Sequence, residues 1–250
     1  DAERAETVEF IIRTANRRLP VIVGVSAVTT MKSVQWAAHA EKSGADMIIS
    51  VPPFLKAQSL ARISAHYAAL NETVTIPVIL HNAPTAIGPA VDLNQQVEIL
   101  AKNEKILYVR EEPAAAQQVI STMRRLAEEK LPAGRLKGVI ACQYGYTIIH
   151  DYQRGARAFM LPCEMLDIMK DIYDCLSGED MAGAVKLYDT IAPVQVFAET
   201  RPIHHTKGML KRRGFIQCDY IRESSKPRFD EFNERECDTW TAYLKPYFKA

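Results

Sequence analysis

Short apolar runs alternate with longer amphipathic stretches along most of the chain. Residues 2–17 set Val8, Ile11, Ile12 and Ala15 on one face at helical spacing, which predicts a helix. The run "PVIVGV" at 20–25 predicts a buried strand. A helix over 31–43 follows, with Gly44 placed to cap it. The alternation continues as strand 46–51, helix 58–71, strand 77–81 and helix 92–103, with Asp92 as the N-cap. Strand 106–110, helix 115–130, strand 137–141, helix 145–155 and strand 157–161 complete it. The strands are continuous apolar runs, as expected when both faces of a sheet are covered. Regular alternation of this kind predicts a parallel sheet, either a barrel or a doubly wound fold. The glycine-rich phosphate loops that mark nucleotide-binding doubly wound proteins are absent, which favours the barrel.

Beyond residue 163 the pattern changes. Residues 164–213 read as helix after helix, broken near Gly178 and Pro202. Residues 217–231 are polar and irregular, and a last helix is predicted over 233–245. The expected organisation is a barrel over 1–163, with a helical segment over 164–250 packed on it.

Composition sharpens this only a little. Hydrophobic residues make up 48% of the 250, enough for one large core. Lys plus Arg is 31 and Asp plus Glu is 30, so charge gives no reason to expect nucleic acid or an acidic membrane as a partner. The cluster Lys211, Arg212 and Arg213 reads as the basic end of a helix. The five cysteines are odd in number and without CxxC spacing, which reads as free thiols in a reducing, cytoplasmic setting. No apolar run approaches the roughly 20 residues of a membrane span. The opening "DAERAETVEF" reads as the middle of a domain.

Several segments carry a family resemblance. "LPVIVGV", "AEKSGADMIISVPPF", "IPVILHNAP" with a following "VDL", and "ILYVREEP" come in a distinctive order and spacing. They resemble the dihydrodipicolinate synthase and N-acetylneuraminate lyase superfamily, and "RGARAFMLPCEM" and "HTKGMLKRRG" resemble its sugar-acid dehydratase branch. The resemblance covers essentially the whole chain. It implies a TIM (β/α)8 barrel with a C-terminal helical extension. It also implies lyase chemistry on a small 2-oxo or sugar-derived carboxylic acid, no cofactor, and a homo-oligomer, dimer or tetramer. Residues 2–17 match the helix after the family's second strand, so the first strand, first helix and second strand are absent from this chain.

The resemblance breaks at the chemistry. The family's Schiff-base lysine falls on Arg110, and arginine stays protonated and is no nucleophilic amine. The tyrosine of its "YN-x-P" motif falls on His81. The tyrosine after its "PP" pair falls on Phe54 or Leu55, and its paired glycines fall on Ala141 and Cys142. Its carboxylate-binding arginine has no match in Thr85-Ala86-Ile87.

His81 and Arg110 each end an apolar strand, and strand C-terminal ends form the active mouth of a barrel. A histidine there can move a proton, and a guanidinium can hold a carboxylate or an enolate. They are the expected catalytic pair, with Asn82, Glu112, Ala141 and Cys142 as substrate-binding residues. For Glu112 a salt bridge to Arg110 is the stronger reading, and for Cys142 a small buried thiol. Tyr108 reads as a core layer, and Tyr144 as a hydroxyl near the mouth. His39 and His66 read as surface or packing residues, and His150 as remote from the mouth. His204 and His205 are adjacent on a helix and cannot chelate together, so no metal site is expected. The rival readings are a catalytically inactive paralogue that binds a small acid or serves as an assembly partner, and an ordinary aldolase using Lys56 or Lys137.

Overall fold

The computed structural model describes residues 1–54, 58–83, 89–112, 116–200, 202–222 and 229–249. The chain divides into two compact units, 1–142 with 150–159, and 143–149 with 160–250.

The first unit is built on six parallel strands: β1 (Ile22–Gly24), β2 (Met47–Ser50), β3 (Val78–Asn82), β4 (Ile106–Glu111), β5 (Gly138–Ala141) and β6 (Ala158–Phe159). They lie in sequence order, each hydrogen-bonded to the next. Among the described residues β1 and β6 do not pair, so six staves of a barrel stand side by side without closing. Helices α1 (Ala2–Ala15), α2 (Thr30–Ser43), α3 (Leu60–Thr73), α4 (Leu93–Lys102) and α5 (Ala116–Lys130) precede or connect the strands. One strand face meets these helices. Val23, Ile48, Val78, Leu80, Val109 and Val139 form a single cluster there with Trp36, Tyr67, Leu70, Leu100 and Met123. The other face carries Ile49, Ile79 and Ile140, also buried but outside that cluster. Burial on both faces explains why the strands read as unbroken apolar runs.

Local chemistry sets the helix ends. Thr29 and Ser59 accept from the Lys32 and Arg62 amides at the starts of α2 and α3. Asp92 and Gln95 form a reciprocal capping box on α4. Gly44 ends α2 in the left-handed region at φ 96°. At the other end of α4 the Arg135 guanidinium takes the carbonyls of Leu100, Asn103 and Ile106.

The expected helix over 145–155 is the main local correction. Gln143, Tyr144 and Gly145 all have positive φ (57°, 54° and 77°), which a right-handed helix cannot accommodate. A short 3₁₀ turn forms at Gln143–Gly145, and α6 is confined to Ile148–Gln153. The expected strand at 157–161 is likewise reduced to Ala158–Phe159. The second unit contains α7 (Leu166–Ser177), α8 (Met181–Thr200), α9 (Pro202–Arg212) and α10 (Glu231–Leu244), with a break at Gly178.

Candidate active site

The site grows out of the pairing of β3 with β4. Val78 pairs with Ile106, but Ile79 pairs with Tyr108, so Leu107 is an extra residue in β4. Past this bulge His81 stands opposite Arg110, and Asn82 opposite Glu111. Alternation along the strands then sorts the residues. His81 and Arg110 share the inner face with Ile79 and Tyr108, and Glu112 and Cys142 continue that parity. Asn82, Glu111 and Ala141 fall on the helix-covered face.

On the inner side four side chains meet. Nη1 of Arg110 is 2.8 Å from Nε2 of His81. The same His81 nitrogen is 2.9 Å from Oε2 of Glu112. Nη2 of Arg110 donates to Oε1 of Glu112 and lies 2.6 Å from Sγ of Cys142. One ring nitrogen cannot both donate to a carboxylate and accept from a guanidinium. When Nε2 carries a hydrogen it donates to Glu112; when bare it accepts from Arg110. The proton on His81 therefore selects its partner.

Charges around the cluster are compensated. Burial alone would raise the Glu112 pKa. Hydrogen bonds from His81 and Cys142 and the Arg110 charge outweigh it and hold the carboxyl at about 2. Glu112 is thus a carboxylate across the neutral range. The Cys142 thiol is pushed up by burial and by its bond to Glu112, which keeps it protonated and a poor nucleophile. Nε of Arg110 is buried and has no hydrogen-bond partner among the described residues.

The opposite face carries a second polar group. Glu111 is fully buried, and its Oε2 accepts from Asn82 Nδ2 at 2.8 Å. Asn82 Oδ1 accepts from the Val91 amide at 3.1 Å, and Gln96 Nε2 donates to the Val91 carbonyl at 2.9 Å. The expected substrate ligand Asn82 thus has both ends of its amide engaged behind the strands. Ala141 packs in the helix-side core. Of the six expected site residues, the structure brings His81, Arg110, Glu112 and Cys142 together and turns the side chains of Asn82 and Ala141 away. The sequence reading passed over Glu111. The available signal was its position between two inner-facing charges, which by alternation sends an acid into the core.

The other candidates disperse. His66 is fully buried with Nε2 3.1 Å from Ser50 Oγ, and burial lowers its pKa to about 4. His39 pairs with Glu9 at 3.0 Å on the surface. His205 is buried against Glu164 at 3.1 Å, while His204 stacks on Phe229. Tyr144 belongs to the second unit and stacks on Tyr146. Lys137 lines a cleft of about 620 Å³ with Gly134 and Arg135, at the strand ends opposite to Arg110. Lys56, Leu55 and Thr85-Ala86-Ile87 lie outside the described residues. Among the described residues no group of three or more His, Cys, Asp or Glu is placed to hold a metal ion. No described helix is long and apolar enough to cross a membrane.

Parallel strands in order, helices on their outer face and charged side chains at their C-terminal ends define a protein of the α/β barrel class. Comparison with known proteins narrows this. The profile of the Dihydrodipicolinate synthetase family matches residues 1–132, and the chain belongs to that family. It is 27% identical over 208 residues to a 4-hydroxy-tetrahydrodipicolinate synthase of Methylobacterium radiotolerans, covering 80% of this chain and 66% of that one. It is 28% identical over 225 residues to the synthase of Rhizobium meliloti, covering 87% and 73%. Among solved structures, dihydrodipicolinate synthase from Aquifex aeolicus superposes with a TM-score of 0.85 at 18% identity, covering 100% of this chain and 83% of that one. The enzyme from Rhodopseudomonas palustris gives 0.86 at 19% identity, covering 97% and 80%.

Proposed function

We propose that this chain is a lyase of aldolase or dehydratase type, acting on a small 2-oxo or sugar-derived carboxylic acid without a lysine Schiff base. The observation that carries the reading is the 2.9 Å contact of His81 Nε2 with Glu112, beside Arg110 at the ends of paired strands. Glu112 orients His81 through Nε2–H, which leaves Nδ1 bare to take a proton. The proton comes from the carbon next to the substrate carbonyl, and the C–H pair moves into an enolate. Arg110 stabilises the oxygen of that enolate. The enolate then expels the hydroxyl on the next carbon, which leaves as water with the proton held by His81. For C–C cleavage His81 instead takes the proton of that hydroxyl, its oxygen becomes the carbonyl of the departing fragment, and the C–C pair becomes the enolate that Arg110 stabilises. The imidazolium that forms faces Glu112, so the charge made on His81 is met by one already in place.

A specific observation supports a second reading, a non-catalytic paralogue that binds a small acid or serves in an assembly. Both Nη atoms of Arg110 are already engaged, with His81, Glu112 and Cys142. Incubation with pyruvate and a panel of 2-oxo acids, followed by borohydride and intact mass, tests the imine-free chemistry. The expected result is no adduct, with turnover abolished in Arg110→Ala and His81→Ala. A stable adduct on a lysine would overturn it. Binding without turnover across the panel would leave the paralogue.

A further inference from the structure

We propose that Glu111 is a positioning residue for the Arg110–His81 pair, setting its protonation from behind the strands without touching it. The inference rests on the reading of Arg110 and His81 given above. Three observations lead to it. Glu111 lies between Arg110 and Glu112 in sequence, and its register partner Asn82 follows His81. One side chain bond, Asn82 Nδ2 to Glu111 Oε2, therefore ties together the two strand ends that carry the cluster. The tie extends through the Val91 amide and Gln96 to α4, whose first turn is thereby locked to the same point.

The second observation is an unmet acceptor. Oε1 of Glu111 and Oε1 of Gln96 are both buried with no hydrogen-bond partner among the described residues. A carboxylate can only accept, whereas a carboxylic acid brings a donor into this pocket. The third is the surroundings. Tyr67 faces Glu111 from α3, Gln96 from α4 and Asn82 from β3; Arg110 and Glu112 flank it on its own strand. Tyr67 donates its hydroxyl to the Ser50 carbonyl and stays protonated, its pKa driven up by burial and by the charge on Glu111. Burial pushes the Glu111 carboxyl up to about 7, against the hydrogen bond from Asn82. An ionised Glu111 favours the imidazolium on His81 and a neutral one does not.

The test reads the two groups directly and needs no turnover. The full chain is labelled with nitrogen-15 histidine and carbon-13 glutamate, and His81 and Glu111 are followed by NMR through a pH titration. The expected result is a Glu111 carboxyl that titrates near 7. The His81 midpoint falls in Glu111→Gln and recovers in part in Glu111→Asp. Coupling is reciprocal, so the Glu111 titration shifts in His81→Asn. That arm keeps the test open if Glu111→Gln fails to fold. A His81 midpoint unmoved by Glu111→Gln in a folded protein, or a Glu111 titration unmoved by His81→Asn, would overturn the proposal. If His81→Ala abolishes turnover while the coupling is absent, this inference alone falls. If the coupling is present in a protein without turnover, the catalytic reading falls instead.

Discussion

His81 and Arg110 face each other across the β3–β4 register with Nε2 and Nη1 2.8 Å apart. Arg110 occupies the position at which the resemblance places a lysine. The geometry predicts that Arg110→Lys does not by itself restore imine chemistry. The new ammonium would sit against Glu112, whose carboxyl is held ionised at about 2, and would stay protonated. Arg110→Lys combined with Glu112→Gln removes that partner. Borohydride trapping with pyruvate is expected to give no adduct in the single variant and an adduct in the double.

The ion pair itself is measurable. Arg110 and Glu112 are only 15% and 17% exposed, so removing one leaves the other charged and poorly solvated. Arg110→Ala is expected to cost about 3 kcal/mol, in the range for breaking a buried pair. Adding Glu112→Gln should recover a substantial part. A double-mutant cycle by urea denaturation checks this, and additive losses would show that the pair is energetically uncoupled.

Glu111 predicts a pH dependence of stability. Its pKa is about 7 in the folded chain against an ordinary 4.5. The folded state binds the proton more tightly, so stability is complete below about 4.5 and declines as pH rises through about 7. The total loss is on the order of 3 kcal/mol. Glu112 acts in the opposite sense, its contribution being lost as pH falls below 4.5 towards about 2. Unfolding midpoints measured across pH should fall between mildly acid and neutral conditions in the wild type. Glu111→Gln should flatten that segment and leave the acid limb in place.

The capping box at the start of α4 anchors the helix whose Gln96 reaches the Val91 carbonyl. Asp92→Ala is expected to cost about 1 kcal/mol. Thermal melts check the magnitude. Asp92→Asn should retain most of the stability, because the amide oxygen still accepts from the Gln95 backbone.

The fold was legible because its signals are local. The apolar runs at 77–81 and 106–110, and the capping residues Asp92 and Gly44, each act within one element. The meeting of His81 with Arg110 was also legible, since both end adjacent strands. What escaped was set by facing rather than by order. Asn82 and Ala141 sit at strand ends as expected, yet their parity turns their side chains into the helix layer. Glu111 follows the same rule: its parity, opposite to that of Arg110 and Glu112, sends it into the helix layer. The helix expected at 145 failed on backbone conformation: Gln143 and Tyr144 adopt positive φ, which nothing in their residue types announces.

The extra residue in β4 bears on how this site tolerates change. Were Leu107 to pair with Ile79 instead of bulging out, the strands would run in simple step and His81 would stand opposite Val109. Arg110 would then align with Asn82 and point into the helix layer, and Glu111 would take its place at the mouth. The cluster is therefore encoded by a reading frame as much as by residue identity. Pairing that one apolar residue in step would exchange the acid behind the strands for the base at the mouth, whereas deleting it would straighten β4 and leave His81 opposite Arg110.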